Sequence, residues 1–299
     1  MKILVAGSHG MVGSAVICRL SEGNYEVFRL VRKTPGPCEV WWDPDAGEID
    51  TQELEGFDGV VHLGTMPWPP HWTTKAKEKM RANRLGTNCL LAESLAESVR
   101  KPKVLICASG MGYYPSSGDD ILTEDCPAGT SFLARLQQDG EAATLPASEA
   151  GIRVLHLRIP PVLGGHALGQ AALQIGNGQQ WTSWIGLDEL ASIIEFALIT
   201  DALCGSVNAV SPMPIRNAEF VSICGQVLGT KPRGAMPAFL ARLMMGEMAD
   251  ELILASRRMQ PAKLLAAGYR FRFPDLADAL RFEKDRLDTG SPSNIPPRR

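Results

Sequence analysis

The chain has 299 residues, 45% of them hydrophobic and 21% charged, with a formal net charge of −3. Such a chain can bury one large core and a smaller appended one. It carries no excess of positive charge to draw it to nucleic acid or an acidic membrane, so the expected partner is a small-molecule substrate. Seven cysteines (Cys18, Cys38, Cys89, Cys107, Cys126, Cys204 and Cys224) are scattered without a CxxC pair. The N-terminus lacks a charged region followed by an apolar one, and no apolar run approaches the ~18 residues of a membrane helix, so a cytoplasmic location is expected. The five histidines, at 9, 62, 71, 156 and 166, show no HExxH or other ligand spacing, and no metal is expected.

The first predicted elements are the most informative. Residues Ile3-Leu4-Val5-Ala6 form a short apolar run, Gly7, Gly10 and Gly13 follow as a GxxGxxG turn that includes Met11 and Val12, and an apolar-periodic segment comes next. This order predicts a strand, a phosphate-cradling loop and a helix, because glycines let a pyrophosphate approach the unpaired amides of a helix N-terminus. A plain strand–turn–helix packing device is the competing reading.

Further strands are predicted near 26–32, 58–64, 103–109 and 152–158, with helical patterns between them. Within 74–99, Leu85, Cys89, Leu91, Leu95 and Val99 recur at spacings close to three and four, which predicts one buried helix face. The alternation predicts an α/β fold: a doubly wound parallel (Rossmann) sheet whose binding crevice lies beyond the carboxyl ends of its strands. From about 160 the rhythm breaks at Pro160, Pro161, Gly164, Gly165, Gly169, Gly176 and Gly178, and helices dominate from 187. The expected organisation is a nucleotide-binding core over 1–160 and, over 161–290, remaining core elements interleaved with a smaller, mostly helical C-terminal lobe on the substrate side. A flexible tail is expected over 291–299. Within the lobe, a helix near 237–256 carries Met236, Met244, Met245 and Met248, read as adaptable core packing.

The second strand ends Leu30-Val31-Arg32-Lys33. A NAD-preferring domain usually places a carboxylate there for the ribose hydroxyls, whereas two cations attract a 2′-phosphate, so NADP(H) is the expected cofactor. A solvated Arg-Lys pair in a surface turn is the alternative. Val60-Val61-His62-Leu63-Gly64-Thr65 ends another strand at the same sheet edge, with His62 expected as a lining residue rather than an acid or base. Trp68 and Trp72, with Trp181 and Trp184 in a later loop, either gather over the nicotinamide end, where an apolar or planar substrate would fit, or pin loops by burial.

A series of phrases then occurs in order: the opening GxxGxxG, Val60–Gly64, Asn83-Arg84-Leu85-Gly86-Thr87, Ser109-Gly110-Met111-Gly112-Tyr113-Tyr114, Phe132-Leu133-Ala134, Leu157-Arg158 with Val162-Leu163-Gly164, and Gln180-Trp181-Thr182-Ser183-Trp184-Ile185. It continues through Asn208–Pro212, Gly246-Glu247-Met248, Gly268-Tyr269 and Phe273-Pro274. Together these resemble an atypical, extended-type short-chain dehydrogenase/reductase family, the NAD(P)-dependent epimerase family that includes cell-division-inhibitor-like proteins. The resemblance covers nearly the whole chain. It implies a bound NADP(H), with Gly7, Gly10 and Gly13 at the phosphates, Arg32 at the 2′-phosphate, with Lys33 beside it, His62, Leu63 and Gly64 beneath the cofactor, Arg84 on the following helix and Val162 near the nicotinamide. By analogy with extended reductases it also implies a homodimer through the helices near 74–99 and 131–149. The stretch before Gln180 is shorter than the family's, and Gly186 stands where a His usually precedes the Asp pair, so the substrate pocket is expected to differ.

One departure concerns chemistry. Most short-chain reductases use a Tyr with a Lys four residues later and a Ser or Thr beside the carbonyl, because hydride transfer needs a proton donor at the oxygen. Aligning Tyr114 with the tyrosine that closes the usual serine-containing strand end puts Gly110, Leu133 and Gln137 in those three roles. Ser109, Tyr113 and Tyr114 are the remaining hydroxyls at that sheet edge. Two functions follow as expectations: an NADP(H)-dependent oxidoreductase or epimerase of non-standard mechanism, or a catalytically silent NADP(H)-binding regulatory or scaffold protein.

Overall fold

The computed structural model describes residues 1–165, 168, 173–230 and 234–289, so the tail expected over 291–299 lies outside the described residues. The chain begins β1 (Lys2–Ala6), α1 (Met11–Glu22), β2 (Glu26–Val31), β3 (Glu39–Asp43), β4 (Glu48–Ile49), β5 (Gly59–His62), α2 (Thr74–Glu97) and β6 (Val104–Gly110). A short 3-10 turn over Met111–Tyr113 leads to β7 (Ile121–Leu122), α3 (Phe132–Ala142), α4 (Leu145–Glu149), β8 (Arg153–Ile159) and β9 (Val162–Leu163). Then come β10 (Gln174–Ile175), β11 (Trp181–Thr182), β12 (Ile185–Gly186), α5 (Leu187–Ile199), β13 (Gly205–Asn208), β14 (Ile215–Arg216), α6 (Asn217–Leu228), β15 (Ala235–Met236) and α7 (Ala238–Met245). A π-helical turn over Ala249–Ile253 precedes β16 (Arg258–Met259), α8 (Ala262–Ala266) and α9 (Leu276–Asp288).

The main sheet has eight strands in the order β13-β8-β6-β5-β1-β2-β3-β4. Every neighbouring pair is parallel except β3 with β4. The period-2 geometry of a strand sends alternate residues of β1 to opposite layers. Ile3 and Val5 join Val16 and Leu20 of α1 and Leu190 and Ile194 of α5. Leu4 and Ala6 join Leu91 and Leu95 of α2 and Ala147 of α4 on the other side. Burial on both faces explains why the strands read as continuous apolar runs. β1 sits centrally, in register with Val27 of β2 and Gly59 of β5 through Ile3, so its carboxyl end opens in the middle of the sheet edge.

Several expectations need correction. The strands β3 and β4 were not anticipated. The predicted face of the 74–99 helix holds at Leu91 and Leu95, but Val99 lies beyond α2 and is 88% exposed; Met80, Thr87, Asn88 and Ala92 complete the buried face instead. Within the stretch expected to interleave core elements with the lobe, α5 packs on α1 and β13 pairs with β8, so both belong to the Rossmann core. The helix expected over 237–256 is broken: α7 stops at Gly246, whose φ of 59° lies in the left-handed region, and a separate π-helical turn follows. Its methionines split accordingly, with Met236 and Met245 packed into a small core while Met244 is exposed. A further apolar cluster unites Trp184, Phe220 and Val221 with Leu276 and Leu280, joining α6 to α9.

Candidate functional site

The first turn of the chain is built for close approach. Gly7 takes a φ of 77°, and a Cβ there would stand 2.6 Å from the Gly64 nitrogen. A Cβ on Gly13 would stand 2.2 Å from the Gly7 carbonyl oxygen, so the turn presses directly on the first turn of α1. Gly10, in extended conformation, precedes the helix; no side chain caps α1 and no acidic residue sits in its first turn. Uncapped amides and the positive end of the helix dipole therefore face the crevice and favour an anion.

An open cleft of about 600 Å³ lies over this turn, beyond the carboxyl ends of β1, β2 and β5. It brings together Gly7, Gly10, Arg32, Lys33, Leu63 and Gly64. Ser8, His9, Leu30, Val31, Trp42, Thr65, Met66 and Pro67 also line it and were not singled out from the sequence. Trp42 was hidden because β3 itself was unforeseen. Arg32 stands over the Trp42 ring, 6.0 Å from its centroid, and pairs with Asp45 at 3.7 Å. Lys33 pairs with Glu39 at 3.4 Å. Both cations are at least half exposed, so these ion pairs are weak and exchangeable for another anion.

The other expected cofactor residues lie around the cleft rather than in its lining. Gly13 is buried in α1, and Met11, Val12 and Val162 pack against the core beside α1 and α5. His62 is 1% exposed and edge-on to Trp42, and its ring lies directly behind Gly64. Among the described residues neither ring nitrogen has a hydrogen-bond partner. Burial, reinforced by the Arg84 charge, pushes the His62 pKa down to about 3. Near pH 7 that leaves His62 a buried neutral ring beneath the loop. Arg84 donates to the Ala108 carbonyl at 3.0 Å, and its stem packs against Gly140, so it ties α2 to β6 and α3.

The vacant catalytic positions fall together in space. Leu133 and Gln137 project from α3 toward the end of β6, where a Cβ on Gly112 would stand 3.1 Å from Leu133 and one on Gly110 3.2 Å from the Gln137 amide nitrogen. Both side chains are buried, and neither supplies a phenol or an ammonium. Two nearby hydroxyls, those of Ser109 and Tyr114, are hydrogen-bonded within the protein. Ser109 donates to Glu141 Oε1 at 2.7 Å, and Arg158 clamps the same carboxylate at 3.0 and 3.1 Å. Tyr114 is fully buried, donates to Asn208 Oδ1 at 2.9 Å and accepts from Arg158 at 2.7 Å. Burial lifts its pKa to about 12 against the pull of Arg158, and with no exposed surface the hydroxyl is closed off from the cleft. Tyr113 remains half-buried with the Arg158 guanidinium 3.3 Å from its ring centroid.

The aromatic expectation divides. Trp184 is 1% exposed and donates to the Met213 carbonyl at 3.0 Å, so it pins a loop. Trp181 donates to Asp119 at 2.9 Å, and the guanidinium groups of Arg216 and Arg258 stand 4.2 and 4.4 Å from its ring centroid. Trp68 and Trp72 pack together 5.3 Å apart, and Trp72 meets Phe132 of α3. Among the described residues no group of three His, Cys, Asp or Glu side chains is arranged to hold a metal, and no helix is long and apolar enough to cross a membrane.

Comparison with known proteins gives a consistent picture. Residues 3–206 match the model of the NAD dependent epimerase/dehydratase family, and residues 236–283 match a domain of unknown function (DUF1731). An epimerase family protein of Mycobacterium leprae is 37% identical over 296 residues, covering 95% of this chain and 96% of its own length. The human epimerase family protein SDR39U1 is 30% identical, covering 94% of this chain and 99% of its own length. A crystal structure of that human protein (isoform 2) with NADPH superposes with a TM-score of 0.87 over 96% of this chain and 100% of that one, at 30% identity. The UDP-glucose 4-epimerase of Thermus thermophilus, at 16% identity and a TM-score of 0.72 over 96% of this chain and 99% of that one, shares the fold. The glycine turn, the doubly wound sheet and these matches agree, and the chain belongs to the NAD dependent epimerase/dehydratase family.

Proposed function

We propose that the chain binds NADP(H) in this cleft and serves a redox step on a small molecule without the Tyr–Lys pair of common reductases. The observation that carries the reading is the placement of Arg32 and Lys33 in the same cleft as the glycine turn. The residues present fit the cofactor: glycines leave room where a Cβ would collide, uncapped amides suit the diphosphate, and two exposed cations suit a 2′-phosphate. The human relative crystallised with NADPH supports the same assignment. When bound, the nicotinamide would supply a hydride donor or acceptor. The protein's own contribution is to hold the phosphates, to shape the floor with Leu63 and Gly64, and to keep a neutral His62 beneath them. The reading places the protein in the cytoplasm, supported by seven cysteines that are all free thiols.

Two hydroxyls remain as proton sources at the end of β6: Ser109, which is hydrogen-bonded to Glu141, and Tyr113 beneath Arg158. Leu133 and Gln137 favour a second reading, a cofactor-binding regulatory protein without turnover, because loss of general acid help removes about 10²–10⁴ in rate. A steady-state NADPH oxidation assay on a broad panel of aldehydes and ketones separates the two. Near-background rates are expected on generic carbonyls. A reactive substrate whose turnover falls in Ser109→Ala or Tyr113→Phe, with NADPH affinity unchanged, supports the enzyme. Rapid turnover surviving both substitutions would show that the active site lies elsewhere.

A further inference from the structure

A second hollow, of about 240 Å³, lies apart from the nucleotide cleft and shares none of its lining residues. Ser192, Glu195, Phe196 and Ile199 recur at helical spacing on α5 and present one face to it. Arg19, near the end of α1, forms one side, and the segment 269–272, between α8 and α9, forms the other. That segment is fixed in place. The buried Glu189 carboxylate accepts from the Tyr269 hydroxyl at 2.5 Å and from the Arg272 and Phe273 N–H groups at 3.0 and 3.1 Å. The half-buried Phe196 and Tyr269 rings meet edge to face, 5.2 Å apart, and Ile199 is 58% exposed, so apolar surface stays open to solvent here.

The charges around that surface are unbalanced. Three arginines, Arg19, Arg270 and Arg272, line the hollow with a single carboxylate, Glu195, in a chain whose formal net charge is −3. Glu195 is taken by Arg19 at 2.6 Å. Arg272 reaches Asp188 at 2.6 Å, a carboxylate it shares with Arg286 at 2.7 Å. Arg270 is exposed, and among the described residues its guanidinium has neither an ion-pair nor a hydrogen-bond partner. An unmatched guanidinium beside open apolar surface suits a ligand that is acidic at one end and apolar at the other, because the planar fork holds a carboxylate through two parallel N–H bonds. The hollow, at about 240 Å³ against about 600 Å³ for the nucleotide cleft, has room for a ligand much smaller than a dinucleotide.

We infer that this hollow is a second ligand site, for a small monocarboxylate carrying one apolar ring or a short acyl chain. The carboxylate pairs with Arg270, and the apolar part lies against Phe196, Tyr269 and Ile199. This does not rest on the NADP(H) reading, since the two sites share no residue.

The test is a titration of the full chain, followed by nuclear magnetic resonance, with benzoate, with its uncharged analogue benzamide and with inorganic phosphate. It is repeated on Arg270→Ala and Ile199→Glu, both at exposed positions, with circular dichroism to confirm the fold. Wild type should bind benzoate about fivefold more tightly than benzamide or phosphate, the upper end for one exposed charged contact. Arg270→Ala should weaken benzoate about fivefold and leave benzamide unchanged. Ile199→Glu should also weaken benzoate, because it sets a like charge at the rim of the hollow. No saturable binding of benzoate to the wild type, or undiminished binding in Arg270→Ala, would overturn the inference. Benzamide bound as tightly as benzoate would overturn its charged half, and phosphate bound as tightly as benzoate its apolar half.

Discussion

Gly10 and Gly13 lie three residues apart and differ in what a methyl group would meet. At Gly13 a Cβ would collide with the Gly7 carbonyl oxygen at 2.2 Å, while at Gly10 the same oxygen is 3.3 Å away. Gly13→Ala should therefore destabilise the fold by about 1–3 kcal/mol, as overpacking does. Gly10→Ala should fold normally and weaken nucleotide binding about tenfold or more, because the added carbon occupies the path of the pyrophosphate. Urea unfolding and nucleotide titration on the two variants check this pair; a Gly10→Ala protein with full affinity would make the turn purely structural. That Gly7, Gly10 and Arg32 share one sheet edge was legible in the sequence because a turn and a strand end are local features. Tyr114 was not: its fate depends on Asn208 and Arg158, 94 and 44 residues away, which meet it only in the folded sheet.

At the scale of elements, the lobe is joined to the core by carboxylates that cap helices. Glu251, from the π-helical turn, accepts from the Ser131 hydroxyl and from the backbone N–H groups of Phe132 and Leu133, so it holds the start of α3. Glu283 of α9 accepts from the Asp188 N–H at 2.9 Å at the start of α5. Burial raises the Glu283 pKa to about 7, despite the pull of that N–H and of Arg286. Because the folded value lies above the unfolded one, its stabilising contribution is full below the ordinary carboxylate pKa and is lost as pH rises through about 7. Stability should fall between pH 5 and pH 8 by on the order of 3 kcal/mol through this group, and Glu283→Gln should remove that part of the slope. Urea unfolding at both pH values measures it; an unchanged slope in the variant would place the titration elsewhere. Element boundaries were readable where periodicity was long, as in α2, and unreadable where geometry broke it. Gly246 stops α7 in a stretch whose apolar pattern runs on, and the short strand β3 follows Pro35 and Pro37 with too few residues to show alternation.

For the whole molecule, the alternation of apolar and amphipathic segments pointed to a doubly wound sheet, because parallel neighbours are usually joined through a crossover helix; β2 and β3, parallel without one, escaped that signal. It was not enough to divide the molecule. Residues 187–208 fall where core elements and lobe interleave, and which of them complete the main sheet and its outer layer is carried by the packing of α5 against α1 and of β13 against β8. The cleft that results takes one wall from the glycine turn and another from β2, and the central claim is that this cleft selects NADP(H). Calorimetric titration of wild type and Arg32→Ala with NADPH and NADH tests it most directly. The account predicts that wild type prefers NADPH by about 10- to 100-fold and that Arg32→Ala loses most of this preference while NADH binding is unchanged. Equal affinities in the wild type, or an undiminished preference in Arg32→Ala, would contradict it.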